Sequence, residues 1–158
     1  MSVIYSDAWY GDMKSLVNSA KGLDELAPKK RIVASFEVVG DGASPYVPKD
    51  GAIYYLIVLD GGKVCEYSPL PGRHDGKGLN FRFTAPATVW EEVAAGLADP
   101  ITCGLRGTIK VRGDMRFLMQ HAEAVKLLVD LYANQGTTEW PKGRPPYGAA
   151  TQPMAKAG

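Results

Sequence analysis

Apolar and polar residues recur along this chain with two different periods, and the switches between them mark out its elements. Over "SDAWYGDMKSLVNSAKGL" the apolar positions Trp9, Met13, Leu16, Val17 and Ala20 fall three or four apart, the spacing of one helix face. Ser6 or Asp7 supplies a start signal and Gly22 a stop, and Pro28 prevents any continuation. "RIVASFEVV" is rich in β-branched and aromatic residues and reads as a strand. "AIYYLIVLDGGKVCEYSP" reads as a hairpin, because two strand runs flank Asp60-Gly61-Gly62, where the turn needs the positive φ that glycine tolerates. Residues 40–51 and 70–78 are rich in glycine and proline and read as loops.

The second half repeats the theme. "LNFRFTA" alternates strictly, with Leu79, Phe81 and Phe83 on one face and Asn80, Arg82 and Thr84 on the other. "PATVWEEVAAG" predicts a helix with Pro86 in its first turn, Gly96 at its end and a stripe of Val89, Trp90, Val93 and Ala94. "LRGTIKVR" alternates again and predicts a strand. Leu105, Gly107, Ile109 and Val111 face one way, and Arg106, Thr108, Lys110 and Arg112 the other. "DMRFLMQHAEAVKLLVDLYANQG" predicts one long amphipathic helix that Gly136 can end, with Leu118, His121, Ala122, Val125, Leu128, Val129 and Tyr132 along one side. Residues 136–158 lack periodicity and are rich in proline and glycine. The expected division is a domain over 1–135 and an extended tail over 136–158, whose first half Trp140 and Tyr147 could pin to the body.

At the joint between the last strand and the last helix stands Arg112-Gly113-Asp114. In an exposed loop this tripeptide would suggest an adhesion ligand. Here Asp114 is placed to cap a helix, and Gly113 lets the chain turn from strand to helix.

Composition narrows the function. A length of 158 residues suits one domain with a real core, and a formal net charge of +1 gives no general case for a nucleic-acid partner. Cys65 and Cys103 are far apart and unlike a metal or disulfide framework, so reduced thiols are expected. The N-terminal residues carry no secretory pattern, and the longest apolar run, "IYYLIVL", is strand-length, so a cytoplasmic location is expected. With two histidines, a multi-histidine metal site is not expected.

Three features could carry chemistry. His74 and Asp75 share a glycine-rich loop that lacks the spacing and the hydroxyl of a phosphate loop, and they read as an exposed pair. His121 falls on an apolar stripe. It reads as a core histidine satisfied by one hydrogen bond, a polar anchor in an apolar pocket, or a general base. Arg82, Arg106, Lys110 and Arg112 all face away from the apolar side of their predicted strands. They read as a solvated face or as a basic patch for an anionic membrane surface or a phosphate-bearing ligand.

From residue 79 to residue 134 the order of elements resembles the sterol carrier protein type-two family, the sterol-transfer domain. Gly96 after the short helix, Asp99-Pro100 just beyond it, and the run Gly107, Ile109, Val111, Gly113 and Asp114 carry the resemblance. Where the family often has tryptophan in its second strand, this chain has Tyr54 and Tyr55. The resemblance implies an α+β fold: an antiparallel sheet of about five strands with helices packed on one face, and an apolar tunnel between the two layers. It implies a carrier of a fatty acid, acyl-CoA or sterol-like ligand, with no catalytic residues, metal or cofactor. The facing apolar groups would be Phe36, Phe81, Phe83 and Ile109 from the sheet, and Trp90, Val93, Met115, Leu118, His121, Val125 and Leu128 from the helices. One rival is an accessory subunit that presents a hydrophobic substrate to a partner enzyme. Another is a small enzyme using His121 with Glu91 or Glu92, against which stands the expected position of both glutamates on the polar side of their helix.

Overall fold

A computed structural model describes residues 2–134 and 138–147 of the chain. Its elements in order are β1 (Ser2–Val3), α1 (Asp7–Ser19), α2 (Leu23–Leu26), β2 (Ile32–Val39), β3 (Ala52–Asp60), β4 (Lys63–Leu70), β5 (Phe81–Pro86), α3 (Ala87–Ala94), α4 (Pro100–Arg106), β6 (Lys110–Arg112), α5 (Met115–Gln120), α6 (Ala122–Asn134) and β7 (Thr138–Glu139).

Five strands form one sheet in the order β4-β3-β2-β5-β6. The sheet is mostly antiparallel, as expected. Only β2 and β5 run parallel, with Phe36 opposite Phe83. The β3–β4 hairpin turns on Gly61 and Gly62, at φ 61° and 83°, so both central residues have the left-handed conformation of a two-residue hairpin turn. The pairing slips by one residue between Val58 and Leu59: Val58 pairs with Glu66 but Leu59 with Val64, and Cys65 is the extra residue.

The helices lie on the face presented by Ile32, Ala34 and Phe36 of β2. The Ser6 hydroxyl caps α1 by accepting from the Trp9 N–H at 3.2 Å, and α1 buries Trp9, Tyr10, Met13 and Val17. Pro86 ends β5 and stands at the N-cap of α3. Gly96, at φ 79°, follows α3, and a Cβ there would lie 2.7 Å from the Ala133 Cβ.

The structure departs from the sequence pattern in three places. The alternation over 105–112 yields a strand only at Lys110–Arg112, and Arg106 belongs to α4. Asp99 caps that helix by accepting from the Ile101 N–H at 3.1 Å, and Pro100 occupies its first turn. Cap and proline prevail over a period-two pattern whose Leu105 is left 63% exposed.

The long helix is broken at His121. There the backbone N–H turns to the Leu118 carbonyl at 3.0 Å, while the ring Nδ1 donates to the Phe117 carbonyl at 2.9 Å. In a continuous helix that carbonyl would take the His121 N–H, so the imidazole substitutes for the backbone donor where α5 ends and α6 begins.

The third departure is in the segment read as a tail. Thr138 and Glu139 pair in parallel with Ser2 and Val3, and the Trp9 indole N–H donates to Thr138 Oγ1 at 2.9 Å. Trp140 and Tyr147 do pin this segment to the body, as the sequence allowed: Trp140 packs edge-on against Tyr46 at 6.0 Å, and the Tyr147 hydroxyl donates to Glu91 at 2.7 Å. Gly136 and residues 148–158 lie outside the described residues.

Candidate ligand-binding cavity

Strands β4, β3 and β2 place one aromatic ring each on the helix-facing side, and β5 places two. Tyr55 of β3 stacks on Phe36 of β2 at 4.9 Å, and Phe36 stacks on Phe83 of β5 at 5.0 Å. Tyr67 of β4 extends the row beyond Tyr55, at 5.9 Å. From Phe83 it continues through Phe81 and Phe117 to the His121 ring, at 5.7, 6.0 and 4.4 Å in turn. The register sets this row: Phe36 lies opposite Tyr55 on one side and Phe83 on the other.

Above the row the helices leave space. A cavity of about 270 Å³ lies between the sheet, α1 and the roof made by α3, α4, α5 and α6. Its volume is just below the range of about 300–1,000 Å³ usual for small-molecule sites. The roof packs loosely: no residue of α5 is fully buried, and in α6 only Ala124 is. Leu118, Val125, Leu128 and Val129 line the cavity yet stay half-buried, because the volume they face is not filled with protein atoms.

Several polar groups on the wall are satisfied by groups off it. The Trp90 indole N–H donates to the Glu37 carbonyl at 2.9 Å, and the Tyr5 hydroxyl donates to Glu91 at 2.7 Å. Among the described residues, the wall contains no aspartate, glutamate, lysine or arginine.

The structure places Phe36, Phe81, Phe83, Trp90, Val93, Ile109, Met115, Leu118, His121, Val125 and Leu128 together on the cavity wall. Sequence reasoning left out Tyr5, Trp9, Tyr55, Tyr67, Phe117 and Tyr132, which line it as well. Trp9 and Tyr132 were legible as members of helical stripes, whereas the continuous apolar run over 53–59 assigns Tyr55 to neither face. Tyr67 was not legible either, since the irregularity at Cys65 turns it to the same side as Val64.

Two expectations about charged residues require correction. Glu91 does not sit on a solvated side of its helix: it is 0% exposed and accepts hydrogen bonds from the hydroxyls of Tyr5 (2.7 Å), Ser44 (2.9 Å) and Tyr147 (2.7 Å). Burial pushes its carboxyl above the usual range, and the three hydroxyl donors offset only part of that. These donors come from the N-terminal segment, the 40–51 loop and the C-terminal segment, so Glu91 ties the three together. It is absent from the cavity wall and so is not a carboxylate partner for His121 there.

The basic face is also smaller than expected. Arg82 is not free: its guanidinium pairs with Glu37 and donates to the His74 carbonyl at 2.9 Å, leaving its side chain 11% exposed. Glu37, itself buried, also takes Arg73 at 2.8 Å and the Thr84 hydroxyl at 3.0 Å. Burial raises the Glu37 carboxyl, but these donors outweigh it and hold it below the usual range. The pairing follows from register, because Glu37 lies opposite Thr84 and Arg82 is two residues away on the same face. Lys110 and Arg112 remain exposed on this face, while Arg106 ends α4.

A five-stranded sheet roofed on one side by helices over an apolar cavity is the architecture of the sterol carrier proteins. The chain belongs to the SCP-2 sterol transfer family, whose model matches residues 13–126, from α1 into α6. The match takes in most of the first half of the chain as well as most of the stretch that carries the resemblance. Among solved structures, the chain is similar to a crystal structure of sterol carrier protein 2, with a TM-score of 0.68, 19% identity, and coverage of 83% of this chain and 98% of that one. It is also similar to the solution structure of the protein TT1886 from Thermus thermophilus, with a TM-score of 0.66, 17% identity, and coverage of 82% and 87%. A third likeness, to sterol carrier protein domain 2 of Helicoverpa armigera, has a TM-score of 0.51, 19% identity, and coverage of 82% and 94%. At these identities the likenesses establish the fold. No curated protein is matched by the sequence.

Proposed function

We propose that the protein is a non-catalytic carrier that holds one hydrophobic or weakly polar lipid between its sheet and its helical roof. The supporting observation is the cavity of about 270 Å³, whose wall is apolar apart from tyrosine hydroxyls, indole nitrogens and His121. Removing a lipid chain from water stabilises a complex by roughly 25 cal/mol per Å² of apolar surface, and a wall without fixed charges opposes this little. A half-buried roof can also yield outward to admit a ligand larger than the resting space. The family to which the chain belongs is named for sterol transfer, and a sterol would require such movement. Unloading at an anionic bilayer would use Lys110, Arg112 and Arg106, each exposed cation adding about 1 kcal/mol near the surface.

Native mass spectrometry of gently purified protein, followed by lipid extraction, tests the reading. The expected result is a mass increment that disappears with organic solvent and reappears as a lipid in the extract. A protein that retains no lipid, and binds neither pyrene nor a fatty alcohol when offered them, is not a carrier.

A further inference from the structure

At β4 the aromatic row ends in a group of four tyrosines. The rings of Tyr10, Tyr55 and Tyr67 pack with centroids 5.4, 5.9 and 6.0 Å apart. Tyr132 joins them from α6, its hydroxyl 3.0 Å from that of Tyr67. Tyr55, Tyr67 and Tyr132 line the cavity, and Tyr10 packs behind them, 2% exposed.

The protons at this end do not balance. Tyr67 and Tyr132 bring two hydroxyl protons and share a single hydrogen bond, so one O–H is left without an acceptor among the described residues. The Tyr10 hydroxyl is buried and also has no partner there. Buried hydroxyls are ordinarily paired, so a cluster with spare donors on an apolar cavity is unusual. Burial pushes Tyr132 up to about 12 and raises Tyr55 and Tyr67 as well, so these groups remain neutral donors at physiological pH. His121, the only other titratable side chain type on the described wall, lies at the other end of the row.

We infer that the Tyr67–Tyr132 hydroxyl pair is a head-group anchor, and that it selects neutral oxygen-bearing lipids (alcohols, ketones and esters) over carboxylates of the same chain length. This inference rests on the carrier reading above. The spare O–H donates to a carbonyl or hydroxyl oxygen. A carboxylate could accept the same bond, but it would leave water for a wall that, among the described residues, holds no lysine or arginine to balance it. Burying an unpaired charge costs far more than one hydrogen bond returns. Charge-neutral recognition thus follows from what the wall holds and from what it lacks.

Displacement of pyrene by 1-decanol, 2-decanone and decanoate at pH 8 tests the anchor, on the wild-type chain and on Tyr67→Phe/Tyr132→Phe. On the wild type, decanol and decanone are expected to displace pyrene at concentrations at least tenfold below decanoate. The double variant is expected to lose about tenfold for decanol and decanone relative to pyrene. Tyr132→Phe alone leaves the Tyr67 O–H free to donate and is expected to keep the affinity for decanol and decanone; the ratio of decanol to decanoate on the wild type tests the anchor without either variant. Decanoate competing as well as decanol on the wild type, or a double variant that retains full affinity for the oxygenated ligands, would overturn the anchor and leave the carrier intact. A wild type that binds neither pyrene nor any decyl compound sinks both.

Discussion

Val125→Trp separates a hollow core from a filled one by the sign of its effect on stability. Val125 lines the cavity from α6 and is half-buried. Replacing isopropyl by indole adds on the order of 90 Å³ at protein packing density, a third of the cavity of about 270 Å³. An indole buries about 150–250 Å². If roughly half of that is new burial, the gain is about 2 kcal/mol at about 25 cal/mol per Å². Ordering the side chain takes back about 1 kcal/mol. The net change is a stabilisation of about 1 kcal/mol, or a rise in Tm of about 2–4 °C for a chain of this size. Pyrene, competing for the same volume, should bind at least tenfold more weakly, a change of about 1.4 kcal/mol. In a filled core the same substitution would instead destabilise by about 1–3 kcal/mol through overpacking. Thermal unfolding and pyrene titration on one sample read both quantities. A destabilised variant with unchanged pyrene affinity would refute the cavity as the ligand site.

Other perturbations probe the framework around the site. Gly113→Ala should destabilise by at least about 1–3 kcal/mol in urea unfolding, because φ is 138° and a Cβ would meet Phe81 at 2.4 Å and the Asn80 carbonyl at 2.5 Å. Asp114→Ala should cost about 0.5–2 kcal/mol by removing the cap that accepts from the Phe117 N–H at 3.2 Å, and wild type and variant should support cell attachment equally poorly. Glu37→Gln should cost about 3 kcal/mol at neutral pH by leaving Arg82 without its counter-charge. Because the folded Glu37 carboxyl lies below its unfolded value, that contribution is present above the ordinary glutamate range and is lost as pH falls through the depressed one. The wild-type advantage should therefore narrow on acidification, and a gap that stays constant from pH 7 down to pH 3 would contradict the assignment.

What the sequence by itself determined is whatever depends on side-chain direction within one element. Period two places Phe81 and Phe83 on the same face of β5, and the helical stripe of α6 places Val125, Leu128 and Val129 on one side of the roof. Both follow from backbone geometry that neighbouring residues dictate. Gly113-Asp114 was legible as a joint for the same reason, since a cap and a turn are local events. Only the tertiary structure decided the rest. The pairing slip at Cys65 depends on how β4 meets β3, and it turns Tyr67 into the cavity against the simple alternation. The burial of Glu91 depends on three remote segments converging with a hydroxyl each, and Arg82 is withdrawn from the basic face by a carboxylate 45 residues away in sequence. The imidazole of His121 breaks a helix whose pattern runs through it unbroken. The cavity too is a property of no single element. It exists because the roof helices are held off the sheet, and the distance between two layers is set by everything packed at their edges.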